Sequence, residues 1–138
     1  MTTERIAIGG WPRTGKTTLA GHLGPLVRHT DDVIDLGWSE ASAEVARWMT
    51  EPGPWCIEGV AVARALRKAL EADPGAPCDR LVWLTSPFVD LTDGQASMGR
   101  GCDTVLDGII DELVRRGVTI DRPSSIGPFD DLNPRSVP

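Results

Sequence analysis

Tyrosine is absent from these 138 residues, and only two Phe, two His, three Cys and two Lys are present. No apolar run approaches the roughly 18 residues of a membrane-spanning helix, so such a span is excluded. The start, Met1-Thr2-Thr3-Glu4-Arg5-Ile6, lacks the long apolar stretch of a secretory signal. The three Cys, at 56, 78 and 102, are odd in number and widely spaced. They match neither a disulfide framework nor a zinc site. Free thiols in a reducing cytosol are the expectation, which places the chain in the cytoplasm. His22 and His29 are too few and too close in sequence for a metal cluster. Positive charge is also scarce: Lys+Arg is 14 against an Asp+Glu of 20, a net charge of −6. That balance argues against a charge-driven nucleic-acid coat, though not against a local basic groove.

What is present is ordinary for a soluble globular domain: 41% apolar and 25% charged residues. Disorder throughout, collagen and coiled coil do not fit. The length suits one domain with a core of its own, and a second full domain does not fit. Short apolar runs alternate with helical patterns along the chain. Residues 5–9 read as a buried strand ending in Gly9-Gly10, and Lys16 to Leu23 reads as a helix. Residues 26–30 form a second strand, closed by Asp31-Asp32. Residues 39–50 place Ala41, Val45, Trp48 and Met49 on one helical face, with Ser39 as N-cap. Trp55-Cys56-Ile57 is a third strand, followed by Glu58-Gly59 and a helix over 60–72. Residues 80–85 form a fourth strand, 86–102 a polar, glycine-bearing loop or lid, and 103–116 a helix capped by Gly117. Residues 118–120 form a fifth strand. Residues 123–138 carry four Pro and read as a loosely ordered tail after a domain spanning 1–122. The alternation predicts an α/β fold with a parallel sheet covered on both faces.

Gly10-Trp11-Pro12-Arg13-Thr14-Gly15-Lys16-Thr17 matches G-x-x-x-x-G-K-[ST]. In such a loop, glycines let backbone N–H groups turn toward phosphate, the lysine bridges the β- and γ-phosphates, and the hydroxyl binds Mg²⁺. The motif follows a strand and opens a helix, the context that phosphate binding requires. Residues 10–18, Thr18 included, are therefore the expected ATP·Mg²⁺ site. Arg13 either touches phosphate or is a solvated loop arginine. No apolar run ending in Asp follows the fourth strand, which disfavours a motor-type ATPase.

Across about residues 4–121 the chain resembles the small P-loop kinases: nucleoside and nucleotide kinases, shikimate- and gluconate-type kinases, and polynucleotide 5′-kinase. The resemblance implies a three-layer P-loop NTPase fold with a five-stranded parallel sheet in order 2-3-1-4-5. It also implies ATP with Mg²⁺, and phosphoryl transfer to an acceptor hydroxyl. By that likeness Asp31 is the base for the acceptor hydroxyl, while Asp32 positions substrate or contacts Mg²⁺. The other reading of the pair is an Asx turn. Glu58 stands where the family has an acidic residue near Mg²⁺ or substrate. Arg64, with Arg67 behind it, lies where related kinases hold substrate, or else faces solvent. Arg100 is the only basic residue between 81 and 114, and would be the lid arginine that stabilises charge on the transferring group. Arg122 lies where the family holds adenine. The Gln95-x-x-Met98-x-Arg100-Gly101 stretch also looks like lids of small phage-encoded kinases. Some of those phosphorylate hydroxymethyluracil within DNA, which would place this chain in a host cytoplasm.

Three classes of function stand at this point. One is a kinase acting on a nucleoside, nucleotide, nucleic-acid, sugar or small-metabolite hydroxyl. Another is an ATP-binding switch or ATPase subunit, and the last a structural module that leaves the loop unexplained. Trp38, Trp48, Trp55 and Trp83 read as core or groove packing rather than stacking platforms. Lys68, beside Arg67, is expected to lie near the acceptor cleft.

Overall fold

The computed structural model describes residues 4–23, 27–87 and 89–122. The Pro-rich segment 123–138, Leu26 and the side chain of His22 lie outside the described residues. Five strands, β1 (Arg5–Gly10), β2 (Val27–His29), β3 (Trp55–Glu58), β4 (Arg80–Leu84) and β5 (Thr119–Asp121), form one sheet in the order β2-β3-β1-β4-β5. Every pairing is parallel, and Ile8 at the centre lies beside Glu58 on one side and Val82 on the other. The expected strand order therefore holds.

A parallel sheet must be apolar on both faces, and the side-chain alternation delivers this. Ile6, Ile8, Cys56, Val82 and Leu84 point to one face, where Leu19 and Ala20 of α1 (Lys16–Leu23) cover them. Ala7, Ile57, Leu81 and Trp83 point to the other. That face is covered by α2 (Trp38–Trp48), α3 (Val62–Ala72) and α4 (Asp93–Arg115), through Val45, Leu66, Leu106 and Leu113 among others. Arg116 pins the end of α4 to the end of α3. Its guanidinium donates to the carbonyls of Leu70 at 2.9 Å and Gly75 at 3.0 Å, and to that of Asp73. All three cysteines are free and buried. Burial pushes the Cys56 and Cys78 thiols up to about 12, which keeps them protonated and unreactive. No helix among the described residues is long and apolar enough to cross a membrane.

Three local readings are corrected. The segment 86–102 is not a loop up to the helix, because α4 begins at Asp93 and runs through Gly99 and Gly101. A capping box starts it: the Thr92 hydroxyl accepts the Gln95 N–H at 3.1 Å, and the Thr92 N–H donates to Gln95 Oε1 at 3.0 Å. The Thr-x-x-Gln spacing signals this start, and the glycines conceal it. Ser39 does not cap α2. Gly37, at φ 95°, precedes the helix, which begins one residue earlier at Trp38. Between β2 and α2, residues Thr30–Leu36 form a 3₁₀ helix, so Asp31 and Asp32 sit in a helical turn rather than an Asx turn.

Candidate functional site

The carboxyl ends of parallel strands leave a crevice where the chain turns into its helices. Here β1 ends at Gly10 with φ 125°, a conformation that favours glycine. A Cβ at that position would stand 2.1 Å from the Leu84 carbonyl oxygen, so only glycine lets β1 leave the sheet there. The Trp11 N–H then donates to the same carbonyl at 2.9 Å. The loop closes over itself, with the Thr14 hydroxyl donating to the Trp11 carbonyl at 2.8 Å and the Lys16 ammonium donating to that oxygen too. Lys16 is only 7% exposed and also reaches the Thr14 hydroxyl at 3.4 Å. Burial pulls the Lys16 ammonium below its usual pKa, and the carboxylates of Glu58 and Asp31 pull the other way. The lysine is thus a cation held mainly by its own loop, without a direct ion pair among the described residues.

Next to it, the Thr17 hydroxyl donates to Glu58 Oε2 at 2.9 Å. Glu58 ends β3, 3% exposed, and its Oε2 also lies 3.1 Å from His29 Nδ1 at the end of β2. The hydroxyl and carboxylate of residues 41 apart in sequence meet because β3 pairs with β1. Trp55-Cys56-Ile57-Glu58 is therefore an apolar strand ending in an acid, placed against the loop on β3 rather than after β4.

A cavity of about 410 Å³ opens above this loop. Residues 12–18 form its floor, Asp31 and Glu58 its acidic wall. Ile34, Trp38, Val60 and Met98 make an apolar wall, and Gln95 adds one amide. The structure thus brings together Pro12, Arg13, Thr14, Gly15, Lys16, Thr17, Thr18, Asp31 and Glu58. Arg13, at φ 59°, is exposed at the rim.

Several expected site residues stand apart. Gly10 and Trp11 shape the loop without lining the cavity, and Asp32 is exposed beside it. Arg64 lies behind Trp38, its guanidinium carbon 4.9 Å from the indole centroid, and its buried Nη1 has no hydrogen-bond partner among the described residues. Arg100 is exposed on α4, where helical geometry turns it away from the face that carries Gln95 and Met98. Arg122 is exposed beyond β5 and does not line the cavity. Lys68 lines a different cavity at the opposite end of the sheet, with Arg5 and Pro77. Its place beside Arg67 on α3 had suggested the acceptor cleft, and that expectation is corrected.

Sequence reasoning missed His29 and Asp103. The Asp103 carboxylate accepts the indole N–H of Trp11 at 2.8 Å and that of Trp83 at 2.9 Å. Trp38 is 41% exposed, and it forms part of the cavity wall instead of packing into the core. Among the described residues no cluster of three or more His, Cys, Asp or Glu could hold a metal ion. A cation here would need ligands beyond Thr17 and Glu58. No protein-family model matches the chain, and comparisons with curated proteins and with solved structures return no match.

Proposed function

We propose that the chain is an ATP-dependent kinase with a P-loop NTPase fold, transferring a phosphoryl group to an acceptor hydroxyl. The observation that carries this reading is the meeting of Lys16 with the Thr17–Glu58 pair at the floor of a cavity whose wall holds Asp31. A buried lysine in a loop whose Gly10 and Gly15 adopt positive φ fits the β- and γ-phosphates of ATP. A hydroxyl bonded to a buried carboxylate fits a hydrated Mg²⁺ that arrives with those phosphates, since two protein groups alone would not hold it. Bound there, Mg·ATP supplies the transferable phosphoryl group with its charge partly neutralised.

The chain's own residues do the rest. Lys16 changes partners from the Trp11 carbonyl to phosphate oxygen, and Arg13 at the rim is a second cation on the same side. Asp31, across the cavity, accepts the proton of the acceptor hydroxyl and orients it. Ile34, Trp38 and Met98 enclose the acceptor and exclude water, with Gln95 as the polar contact. An exposed indole wall suits a flat acceptor. This favours nucleoside, nucleotide or nucleic-acid acceptors, a hydroxymethylated pyrimidine in DNA among them, over sugars and small metabolites.

An ADP-release screen tests the reading, run against nucleosides, nucleotides, sugars and modified oligonucleotides. Asp31→Asn should bind ATP normally and lose acceptor-dependent ADP release by about 10²-fold or more. Slow ADP release that no acceptor changes would leave an ATP-binding switch instead. A DNA acceptor would show activity falling steeply with salt, and a free nucleoside would not.

A further inference from the structure

Trp11 occupies the second position of the phosphate loop, and two contacts from α4 fix its indole from outside that loop. Its indole N–H donates to Asp103 Oδ2 at 2.8 Å. The other oxygen of Asp103 accepts the N–H of Trp83, which is fully buried in β4, at 2.9 Å. Gly99, one turn earlier on α4, lies against the indole face so closely that a Cβ there would stand 2.2 Å from Trp11 Cδ2. Residues 99 and 103 lie four apart on a helix and share a face, and Gln95 continues the same stripe into the cavity. The carbonyl of Trp11 is in turn the acceptor for Lys16 and Thr14. A continuous chain of contacts therefore runs from β4, through one carboxylate on α4, to the loop oxygen that holds Lys16.

We propose that Asp103 is a positioning residue for phosphate binding: by gripping Trp11 it holds the loop in its receptive shape. This rests on the kinase reading above. The chemistry of the grip is specific to a carboxylate. Both its oxygens are acceptors, so it satisfies two N–H donors at once. An amide would set its own NH₂ against one indole N–H. With the grip lost, the first half of the loop must be ordered by the incoming phosphates, and affinity falls by that ordering. Asp103 does not line the cavity, so catalysis at saturation should be spared.

The test is Mg·ATP binding to the full chain by titration calorimetry, with steady-state ADP release alongside. Asp103→Asn and Trp11→Phe should each weaken ATP binding about tenfold, and Asp103→Asn should keep kcat at saturating ATP within about twofold. The double variant should bind no worse than the weaker single, because both remove one contact. Trp83→Phe removes the other N–H from the same carboxylate and lowers Tm, but should keep ATP affinity within about twofold. A merely structural Asp103 would lower Tm in Asp103→Asn without changing the affinity of the folded fraction, and that result overturns the inference. Should Asp103→Asn fail to fold, unchanged affinity in Trp11→Phe would overturn it equally. A wild type that binds no Mg·ATP would overturn the kinase reading and this inference together. A wild type that binds, beside variants that bind equally well, would overturn this inference alone.

Discussion

Lys16 is a charge kept in a place that disfavours it. Its pKa is lowered first by burial, with Glu58 and Asp31 only partly offsetting the loss of water. In the unfolded chain the group keeps its ordinary value of 10.5, so between the lowered folded value and 10.5 the unfolded state binds more protons. The contribution of this site to stability therefore rises with pH through that window, and its full cost is present below the lowered folded value. Lys16→Met removes the cost. Unliganded Lys16→Met should melt at or above the wild-type Tm at pH 8, with the difference shrinking toward pH 10.5. The same variant should lose ATP affinity by about 10²-fold or more. A lower Tm for the variant at pH 8 would mean that the ammonium is needed for the loop's own fold. At this scale the loop is fully legible in sequence, because its residues are consecutive and its geometry is local. Glu58 is legible as an acid ending a strand, and Asp31 as an acid just past one. Asp103 is not, because its bond to Trp11 joins residues 92 apart, and nothing near Asp103 in sequence announces an indole donor.

Helix α4 shows how one residue type carries opposite meanings along an element. Gly99 and Gly101 resemble the flanks of a mobile segment, which is why 86–102 reads as a loop. Yet Gly99 is buried and serves close packing, since the Trp11 ring occupies the space its side chain would take. Gly108, on the same helix, is exposed and has nothing within 4 Å of a Cβ built on it. Gly108→Ala should stabilise the protein by about 0.5–1 kcal/mol through helix propensity alone. Gly99→Ala gains the same propensity but forces Trp11 or α4 to move. Overpacking of this kind costs about 1–3 kcal/mol, so the net effect should be destabilising. Urea unfolding of the two variants measures both, and stabilisation by Gly99→Ala would show that α4 is not seated on the loop. The helices over 39–50 and 60–72 were readable to within two residues because each shows an apolar face, and the helix over 16–23 because the glycine-rich loop opens directly into it. The start of α4 was hidden because its first two turns pack through glycine and methionine rather than through leucine.

The whole molecule divides along the strand direction. The cavity lies at the carboxyl end of the sheet, and the amino end is stitched by charge. Arg5, which opens β1, holds Asp79 in a two-pronged pair, with Nη2 to Oδ1 at 3.1 Å and Nε to Oδ2 at 3.3 Å. Arg80, which opens β4, pairs with Glu4 at 3.2 Å and Asp121 at 2.7 Å. The net charge of −6 thus coexists with cations used in two ways, as ties at one end and as the buried Lys16 at the other. Lys68 belongs to the first end, so counting scarce lysines finds one member of the site and not two. If the ends act separately, weakening a tie should cost stability and leave ATP binding alone. Hydrogen bonds from Arg5 hold the Asp79 carboxyl below its ordinary value of 3.8. A depressed folded pKa gives stability that is present above the unfolded value and is lost as pH falls through the folded one. Asp79 is 43% exposed in its side chain, so solvent screens the pair and the effect is small. Asp79→Asn should lower Tm at pH 7 by about 1–4 °C. The gap from wild type should close as pH drops below 3.8, where the wild-type carboxyl takes up its proton. Mg·ATP affinity should match the wild type throughout. A gap that persists at pH 2 would assign the loss to packing rather than charge, and a fall in ATP affinity would show that the two ends are coupled through β1.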